Sequence, residues 1–548
     1  MVGSAAAGCG APAARGTPGA AREVRAWSPL RVGLLAAAVA GACYAATLTA
    51  YGPVSDEGNY FESSRRLAGW VGYLGRSLAA GEPARAFADP VLDETWRWGG
   101  PRIPHPPFSR ELAALSGMLF FGRMDPISAY RVLGILVAAL LVGGVAAWGA
   151  RRAGPAAGLC AGAAFLFFPR VFAHAHFADT DFLLSALVFF SLFWAAEGRR
   201  APMAGAGVLW GLALATKFSA VLLPLALLPW LFLFRRTELR RLPAFALAAL
   251  VAFAAVNPVL WVHPLEGLRE YAQMGLGRRH MDIAQLPTFY LGRLYVFRPP
   301  WHYPLVMLAL TAPLGILLLA GAGGAAGLAR RASRPVAAMC LLVTLCFIGA
   351  LEAPAAPLHD DVRLFLSVFP FLALLAGLGA GWALAGFATA ASASPAGSVA
   401  RRQVVGALAV AAALGGAALA TARLHPFQAS YFNALAGGVS GADRLGLEVT
   451  GLKEVLSRDV YADLNRVLPP GATLDGGPFL YEDLLFAQDL GWLAPRVGVR
   501  PGPPADYVLV VNRRGWLRAS DRALLHFAPA AYALTVDGIP LVALFRLR

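Results

Sequence analysis

About eleven long apolar stretches run along this chain of 548 residues, each close to the roughly 20 apolar residues that a helix needs to cross a bilayer. Only 14% of the residues are charged and 58% are hydrophobic. Soluble domains carry about 25% charged residues. The chain is therefore predicted to be a mostly α-helical, polytopic membrane protein.

The formal net charge of +15 would by itself suggest a nucleic-acid partner. Paired arginines between consecutive apolar runs give a better explanation, because short cytoplasmic loops carry an excess of Lys and Arg. The clusters are Arg151-Arg152, Arg199-Arg200, Arg235-Arg236 with Arg240-Arg241, Arg330-Arg331 with Arg334, and Arg401-Arg402. The charge therefore reflects membrane topology, and no nucleic-acid partner is expected.

Placing every arginine cluster in the cytoplasm gives one consistent threading. Its spans lie near 31–51, 129–150, 155–169, 182–196, 203–218, 219–234, 242–258, 303–322, 335–351, 364–386 and 403–422. The odd number of spans puts the N-terminus inside and the C-terminus outside. We expect a cytoplasmic tail over 1–30, a membrane domain over 31–423 and an outside C-terminal domain over 424–548.

The outside segments hold most of the polar residues that could do chemistry. The first of them, 52–128, is long for a connector, and such loops tend to be functional or structured. Apolar spacing within it predicts interfacial helices over 61–78 and 105–122, the second too short to span. Because the polar residues lie at span ends, and span ends converge in a bundle, we expect them to build one site.

The C-terminal region has a different pattern. Residues 443–467 predict a surface helix, and Tyr507 to Val511 predicts a buried strand. Tyr532 to Arg546 predicts a hairpin across Asp537-Gly538, a strong turn signal. A small α/β domain on the outer side of the membrane follows from these elements.

A series of motifs carries a family resemblance. In chain order they are Asp56-Glu57, His105-Pro-Pro-Phe, His174-Ala-His-Phe-Ala-Asp-Thr-Asp181, Ala215-Thr-Lys217, Pro300-Trp-His302-Tyr, Asp361-Val-Arg363 and Tyr431-Phe-Asn433. Over about residues 31–470 the chain resembles the polyprenyl-phosphate-sugar glycosyltransferases of the GT-C fold. The branch is that of the protein O-mannosyltransferases and aminoarabinose transferases, of family 39 type.

The resemblance implies transfer of a sugar from a polyprenyl phosphate to a hydroxyl or amine of a protein or glycolipid, with inversion. A phosphate leaving group is already a stable anion, so it needs cations or hydrogen-bond donors and no proton. Glycoside hydrolysis, in contrast, needs a second, protonated carboxyl group. One carboxylate that accepts the acceptor's proton is therefore enough.

The resemblance places the catalytic base at Asp56, with a helix cap as the alternative reading. Glu57 is a second catalytic candidate, which could orient Asp56, contact acceptor or cap the helix. Asp181 matches the family's second acidic residue, and Asp179 competes with it for that assignment. Lys217 and Arg363 are candidates to hold the lipid phosphate, with snorkelling interfacial cations as the alternative.

The remaining substrate-binding candidates are the histidines His105, His174, His176 and His302, each of which could equally be a packed side chain. Arg170 and Arg293 are weaker phosphate candidates. The chemistry requires no cofactor. A divalent metal on Asp56, Asp181 and His174 or His176 is an alternative, although the two histidines lack the helical i,i+4 spacing of a ready ligand pair.

A transporter or flippase of a lipid-linked saccharide is the main alternative function, and a receptor or scaffold the next. Transporters usually carry polar groups and broken helices near the bilayer midplane, in repeated halves. Here the polar residues lie at one face and no repeat is evident. The arginine-rich, lysine-poor composition suggests a bacterial inner membrane, with the active site and the C-terminus facing the periplasm.

Overall fold

The computed structural model describes residues 27–54, 56–97, 105–198, 202–277, 286–296, 298–353, 356, 358–386, 396–451 and 453–548. The predicted tail over 1–30 lies outside these ranges except for its last four residues. The Arg199-Arg200 pair also lies outside them.

The membrane part of the chain consists of helices joined by short turns. In order they are α1 Pro29–Thr47, α2 Glu57–Ala79, α3 Asp89–Thr95, α4 Phe108–Phe120, α5 Pro126–Ala153, α6 Pro155–Leu166, α7 Pro169–His174, α8 Thr180–Ala196, α9 Met203–Leu214, α10 Leu223–Phe234, α11 Leu242–Ala255, α12 Pro258–Val262, α13 Pro264–Leu276, α14 Tyr303–Thr311, α15 Leu314–Ala329, α16 Arg334–Ala350, α17 Phe369–Leu384 and α18 Ala396–Arg423. Short 3-10 turns precede α3, α10, α11 and α17.

Local sequence explains many of these boundaries. Proline occupies the first turn of α1, α5, α6 and other helices, where its missing N–H costs nothing. Asp125 caps α5 by accepting a hydrogen bond from the Ser128 amide at 3.0 Å. The same helix ends at Gly154, whose φ of +90° belongs to the left-handed region that glycine tolerates.

Every predicted span except 303–322 coincides with an apolar helix, which confirms the polytopic membrane class. Within the described ranges, four helices are long and apolar enough to cross a bilayer alone: Pro29–Thr47, Pro126–Ala153, Arg363–Leu384 and Ala400–Arg423. The others are shorter apolar helices. The predicted interfacial helices are also present, as α2 and α4.

One predicted span, 303–322, is wrong as a straight helix. The chain forms α14 and α15, which meet at an angle of 114°. Pro313 has no N–H to continue the helix, and it forces the residue before it out of the helical region. Ala312 accordingly has φ −89° and ψ 142°.

The C-terminal lobe packs around a five-stranded sheet. Its helices are α19 Gly438–Arg444, α20 Arg458–Val467, α21 Gly477–Asp489 and α22 Ala519–Phe527. A separate two-stranded hairpin, β1 Thr288–Tyr290 and β2 Arg293–Tyr295, precedes the lobe in the chain. The sheet runs β4-β3-β5-β7-β6, with β3 Thr473–Asp475, β4 Gly498–Arg500, β5 Tyr507–Val511, β6 Tyr532–Val536 and β7 Ile539–Arg546.

Two of the C-terminal predictions are confirmed and one is wrong. The strand over 507–511 and the hairpin across Asp537-Gly538 are both present. The predicted helix over 443–467 is instead two helices, α19 and α20, separated by irregular chain. Gly446 is left-handed there, with φ +71°, and Glu448 and Lys453 turn inward to ion pairs within the protein.

The bundle core depends on close helix packing at glycine. A Cβ added at Gly323 of α15 would lie 1.8 Å from the carbonyl oxygen of Leu375 in α17. A Cβ at Gly379 would lie 2.0 Å from the carbonyl oxygen of Leu319. Small residues at both positions therefore let the two backbones approach directly, as is common between membrane helices.

We predict that Gly323→Ala destabilises the protein, because overpacking of this kind costs about 1–3 kcal/mol. Gly324→Ala is the matched control: a Cβ there meets nothing within 4 Å, and alanine has the higher helix propensity. Thermal unfolding in detergent should show a lower midpoint for the first variant only. Equal midpoints for the two variants would contradict the close approach of α15 and α17.

Candidate active site

Arg363 lies at the centre of a buried cluster of charges. It begins the 3-10 turn before α17, and its guanidinium donates to three carboxylates. Nε contacts Asp181 Oδ2 at 2.9 Å, Nη1 contacts Asp360 Oδ2 at 3.3 Å, and Nη2 contacts Asp56. Residues far apart in the sequence therefore meet at one point.

Lys217 completes the cluster. It lies three residues after the end of α9, and its ammonium pairs with Oδ1 of Asp181. Both oxygens of Asp181, at the start of α8, are therefore held by cations. The structure thus brings together the two cations that the sequence predicted for phosphate and the two acids, Asp56 and Asp181, that it predicted for catalysis.

Asp56 differs from the other two carboxylates on Arg363 in its exposure. Its side chain is 40% exposed, whereas those of Asp181 and Asp360 are 2% and 3% exposed. Asp56 stands at the N-cap position of α2 but makes no side-chain capping hydrogen bond. Asp56 therefore does not cap α2 through a side-chain hydrogen bond, and it is the most exposed of the three carboxylates on Arg363.

Glu57 points the other way and is fully buried. Its two carboxylate oxygens accept from Arg131 at 2.9 and 2.5 Å, from the Val54 amide at 2.9 Å and from the Ala178 amide at 2.7 Å. Arg131 also donates to the carbonyls of Tyr51 and Gly52. Glu57 therefore fixes the loop that carries Asp56, and its oxygens are occupied by protein groups.

Asp179 and Asp181 make different contacts. Oδ1 of Asp179 accepts hydrogen bonds from the amides of Asp181 at 3.0 Å and Phe182 at 3.2 Å, so Asp179 caps α8. Its second oxygen lies 3.5 Å from Nδ1 of His174. Asp179 thus orients the start of α8, while Asp181 faces the cations.

The other predicted histidines occupy supporting positions. His176 is buried, with its ring nitrogens 2.8 Å from Thr47 Oγ1 and from the Phe172 carbonyl, and burial lowers its pKa to about 3. His302 pairs with the Tyr290 hydroxyl at 2.8 Å. His105 is buried, and its carbonyl accepts a hydrogen bond from Arg110 at 3.3 Å. The packed-side-chain reading suits His176 best.

Two further arginines hold the segment before Arg363. Arg170 donates to Asp361 at 2.7 Å, and Arg513 of the C-terminal lobe donates to Asp360 at 2.6 Å. Burial would raise the pKa of the Asp360 carboxyl, but His359, Arg513 and Arg363 hold that pKa well below its usual range. The cluster is therefore braced from outside the membrane helices.

Sequence reasoning missed Arg131, Arg513 and Glu448. Arg131 left a usable signal, because a charged residue within a predicted span is costly and is usually kept for a reason. Arg513 and Glu448 stand in the C-terminal lobe among many charged residues and left none. Arg293, in contrast, lies exposed on β2, within a hairpin.

Within the described ranges, no group of three or more His, Cys, Asp or Glu side chains is arranged to hold a metal ion. Asp181 in particular has both oxygens on cations. A cleft of about 230 Å³ opens beside the Asp56 loop instead. Its walls are Pro53, Val54, Gly58 and Asn59 on one side, and Lys453, Pro478, Phe479, Glu482, Asp483 and Phe486 on the other.

Comparison with known proteins fits this architecture. The sequence profile of glycosyltransferase family 87 matches residues 106–354. Among solved structures, ArnT from Cupriavidus metallidurans in the apo state matches with a TM-score of 0.50 at 19% identity, over 93% of this chain and 97% of that chain. ArnT bound to undecaprenyl phosphate matches over the same shares with a TM-score of 0.47. No curated protein matches the chain significantly.

The likeness to apo ArnT shows that the fold is of the GT-C type. With the family profile, it makes the chain a membrane glycosyltransferase and confirms the class predicted from the motifs. The matching profile is that of family 87, whereas the motifs suggested family 39. The profile begins after Asp56 and ends before Arg363, so it covers neither residue.

We predict that Arg131→Met strongly destabilises the protein, by about 3–5 kcal/mol, because it leaves the Glu57 carboxylate buried without its cation. Arg65→Met is the control: Arg65 pairs with Glu62 on the surface and is 74% exposed, so its loss should cost less than about 1 kcal/mol. Unfolding in detergent measures both. A small effect at Arg131 would show that the pair does not hold the loop.

Proposed function

We propose that the protein transfers a sugar from a polyprenyl phosphate to an acceptor hydroxyl or amine, with Asp56 as the base. One observation carries this proposal: a partly exposed carboxylate touches the same buried guanidinium that, with Lys217, can receive a phosphate. Base and anion site are therefore within the length of one phosphosugar. A receptor or scaffold has no need of that juxtaposition.

The donor's phosphate binds to Lys217 and Arg363. The charges of Asp56, Asp181 and Asp360 already balance those of Lys217, Arg363 and Arg513, so an arriving phosphate must displace one carboxylate. Asp56 is the candidate for displacement, because its side chain is exposed while Asp181 and Asp360 are buried. Donor binding thus replaces the ion pair between Arg363 and Asp56 with one between Arg363 and the phosphate.

That exchange prepares the base. While Arg363 holds it, the Asp56 carboxylate is occupied by the guanidinium and cannot accept the acceptor's proton. Once the phosphate takes Arg363, the carboxylate is free to accept a hydrogen bond from the acceptor. The enzyme therefore gains its base when the donor is present.

The reaction is a single displacement with inversion. The acceptor oxygen or nitrogen forms a bond to the anomeric carbon while the bond from that carbon to the phosphate oxygen breaks. The acceptor's proton passes to Asp56, and the lipid phosphate leaves as an anion held by Lys217 and Arg363. Glu57 and Asp179 position the loop and the helix that carry the two acids.

The acceptor approaches through the cleft beside the Asp56 loop. Gly58 and Asn59 of α2 form one wall, and Phe479, Glu482 and Phe486 of α21 form the other. Carboxylates and aromatic faces suit a hydroxyl-bearing group. The acceptor is a protein or glycolipid, and no nucleic acid takes part.

The site faces the periplasm of a bacterial inner membrane. Arg151 and Arg152 end α5, and Arg131, which braces the Asp56 loop, stands near its start, so the paired arginines and the site lie at opposite ends of one span. Paired arginines mark the cytoplasmic side. Residues 31–423 then form the catalytic membrane domain, and 424–548 the periplasmic domain.

We predict that Asp56→Asn abolishes sugar transfer while leaving a folded protein that still binds undecaprenyl phosphate, the lipid present in one ArnT structure. Comparison of membrane lipids and glycoproteins by mass spectrometry, with wild-type or variant protein expressed, measures transfer. Asp93→Asn, a change to an exposed acid on the same outer loop, serves as the control. Normal product from Asp56→Asn would eliminate the proposed base.

We further predict that Lys217→Gln weakens binding of undecaprenyl phosphate by roughly 10- to 100-fold, because a charge-assisted hydrogen bond contributes about 1.5–3 kcal/mol. Arg293→Gln, which removes an exposed cation of the β1–β2 hairpin, should bind like wild type. Calorimetry in nanodiscs gives both affinities. Equal losses for the two variants would mean that the lipid binds by general charge rather than at the cluster.

A further inference from the structure

Arg513 is a C-terminal residue that reaches the charge cluster of the membrane domain. It lies two residues after β5, is only 3% exposed at its side chain, and donates from Nη2 to Asp360 Oδ1 at 2.6 Å. Asp360 belongs to the segment between α16 and α17. The contact therefore joins the C-terminal lobe to the segment just before Arg363.

Asp360 connects two guanidiniums through its two oxygens. Oδ1 faces Arg513, and Oδ2 accepts from Arg363 Nη1 at 3.3 Å and lies 2.8 Å from His359 Nδ1. Any change in the charge that Arg513 offers to Asp360 must therefore change how strongly Asp360 attracts Arg363.

The backbone at this point is strained. Asp360 and Asp361 are consecutive left-handed residues, with φ of +57° and +56°. Such conformations are unfavourable for residues other than glycine and persist only where surrounding contacts enforce them. Arg513 holds the first aspartate and Arg170 the second, at 2.7 Å. The two arginines thus clamp the turn that leads into Arg363.

Arg513 is itself rigidly held. Its guanidinium stacks on the Trp516 ring at 3.7 Å and donates to the Gly451 carbonyl, and its Nε lies 3.3 Å from Glu448. Glu448 accepts hydrogen bonds from the backbone amides of Phe289 at 2.9 Å and Gly515 at 3.0 Å. Burial raises the pKa of the Glu448 carboxyl to about 7. These contacts fix Arg513 at one orientation.

We infer that Arg513 is a positioning residue for the phosphate site: through Asp360 it sets how much of Arg363 is available to the donor. Without Arg513, Asp360 keeps a buried negative charge with His359 and Arg363 as its remaining partners. Arg363 then turns toward Asp360 and away from Asp181 and the donor phosphate. This inference rests on the proposed donor site, and it makes docking of the C-terminal lobe a condition for tight donor binding.

The test compares Arg513→Met with Arg514→Met in the full chain in nanodiscs. Arg514 is the next residue, belongs to the same lobe and pairs with Asp443 at 2.5 Å, outside the cluster. Arg513→Met should weaken undecaprenyl phosphate binding about tenfold, a typical size for coupling between sites. Arg514→Met should bind like wild type.

Two double variants separate positioning from simple loss of structure. Arg513→Met should have no further effect when Arg363 is already glutamine. Adding Asp360→Asn to Arg513→Met should restore most of the affinity, because it removes the carboxylate that captures Arg363. The inference would be overturned if Arg513→Met still lowered the affinity tenfold in the Arg363→Gln background. It would also be overturned if Asp360→Asn restored none of the affinity.

Hydrogen exchange tests, without the lipid, whether Arg513 holds the turn before Arg363. Amides of residues 358–366 should exchange faster in Arg513→Met than in Arg514→Met or wild type, since one side of the clamp is missing. Unchanged exchange there would overturn the inference that Arg513 positions Arg363 through Asp360. A wild-type protein that fails to bind undecaprenyl phosphate, yet shows the faster exchange in Arg513→Met, would instead refute the proposed donor and leave the clamp established.

Discussion

A single guanidinium shared by three carboxylates determines how the site is built. Arg363 contacts Asp56, Asp181 and Asp360, which come from the loop after α1, the start of α8 and the loop after α16. Burying charges is costly, and a buried ion pair often adds little to stability over apolar packing. Its geometric effect is larger: each carboxylate can satisfy Arg363 only if its own segment is correctly placed. The cluster therefore fixes the positions of three separate segments relative to one another.

Hydropathy and charge pairing predicted the helices well because burial in lipid depends on local sequence. The same reasoning could not find the break at Pro313, since that proline lies within an otherwise uniform apolar run. Asp179 and Asp181 were inseparable by sequence because their difference lies in orientation. Arg513 was beyond prediction because it lies in the C-terminal lobe, and local sequence does not show which residues of the membrane domain that lobe contacts. Such contacts are decided by how the C-terminal lobe docks.

The supporting arginines share one arrangement. Arg131 holds Glu57, Arg170 holds Asp361, and Arg513 holds Asp360. In each case the partner is a residue of the cluster or the next residue along the chain. Each arginine also donates to a backbone carbonyl of the segment it braces or of a neighbouring one. A planar group with five donors can do both at once, which an ammonium cannot do in a fixed geometry. This explains why arginine, and not lysine, supplies the braces.

The adjacent acids Asp56 and Glu57 show how such bracing suits the base that we propose. Neighbouring residues at the start of a helix project about 100° apart, so they cannot face the same group. Glu57 takes the buried direction, where Arg131 and two backbone amides fill its oxygens. Asp56 is thereby left facing Arg363 and the solvent, with a fixed backbone behind it. The proposed base must release Arg363 to meet the acceptor, so it needs freedom at its carboxylate and none in its main chain. The pair divides these requirements between two residues.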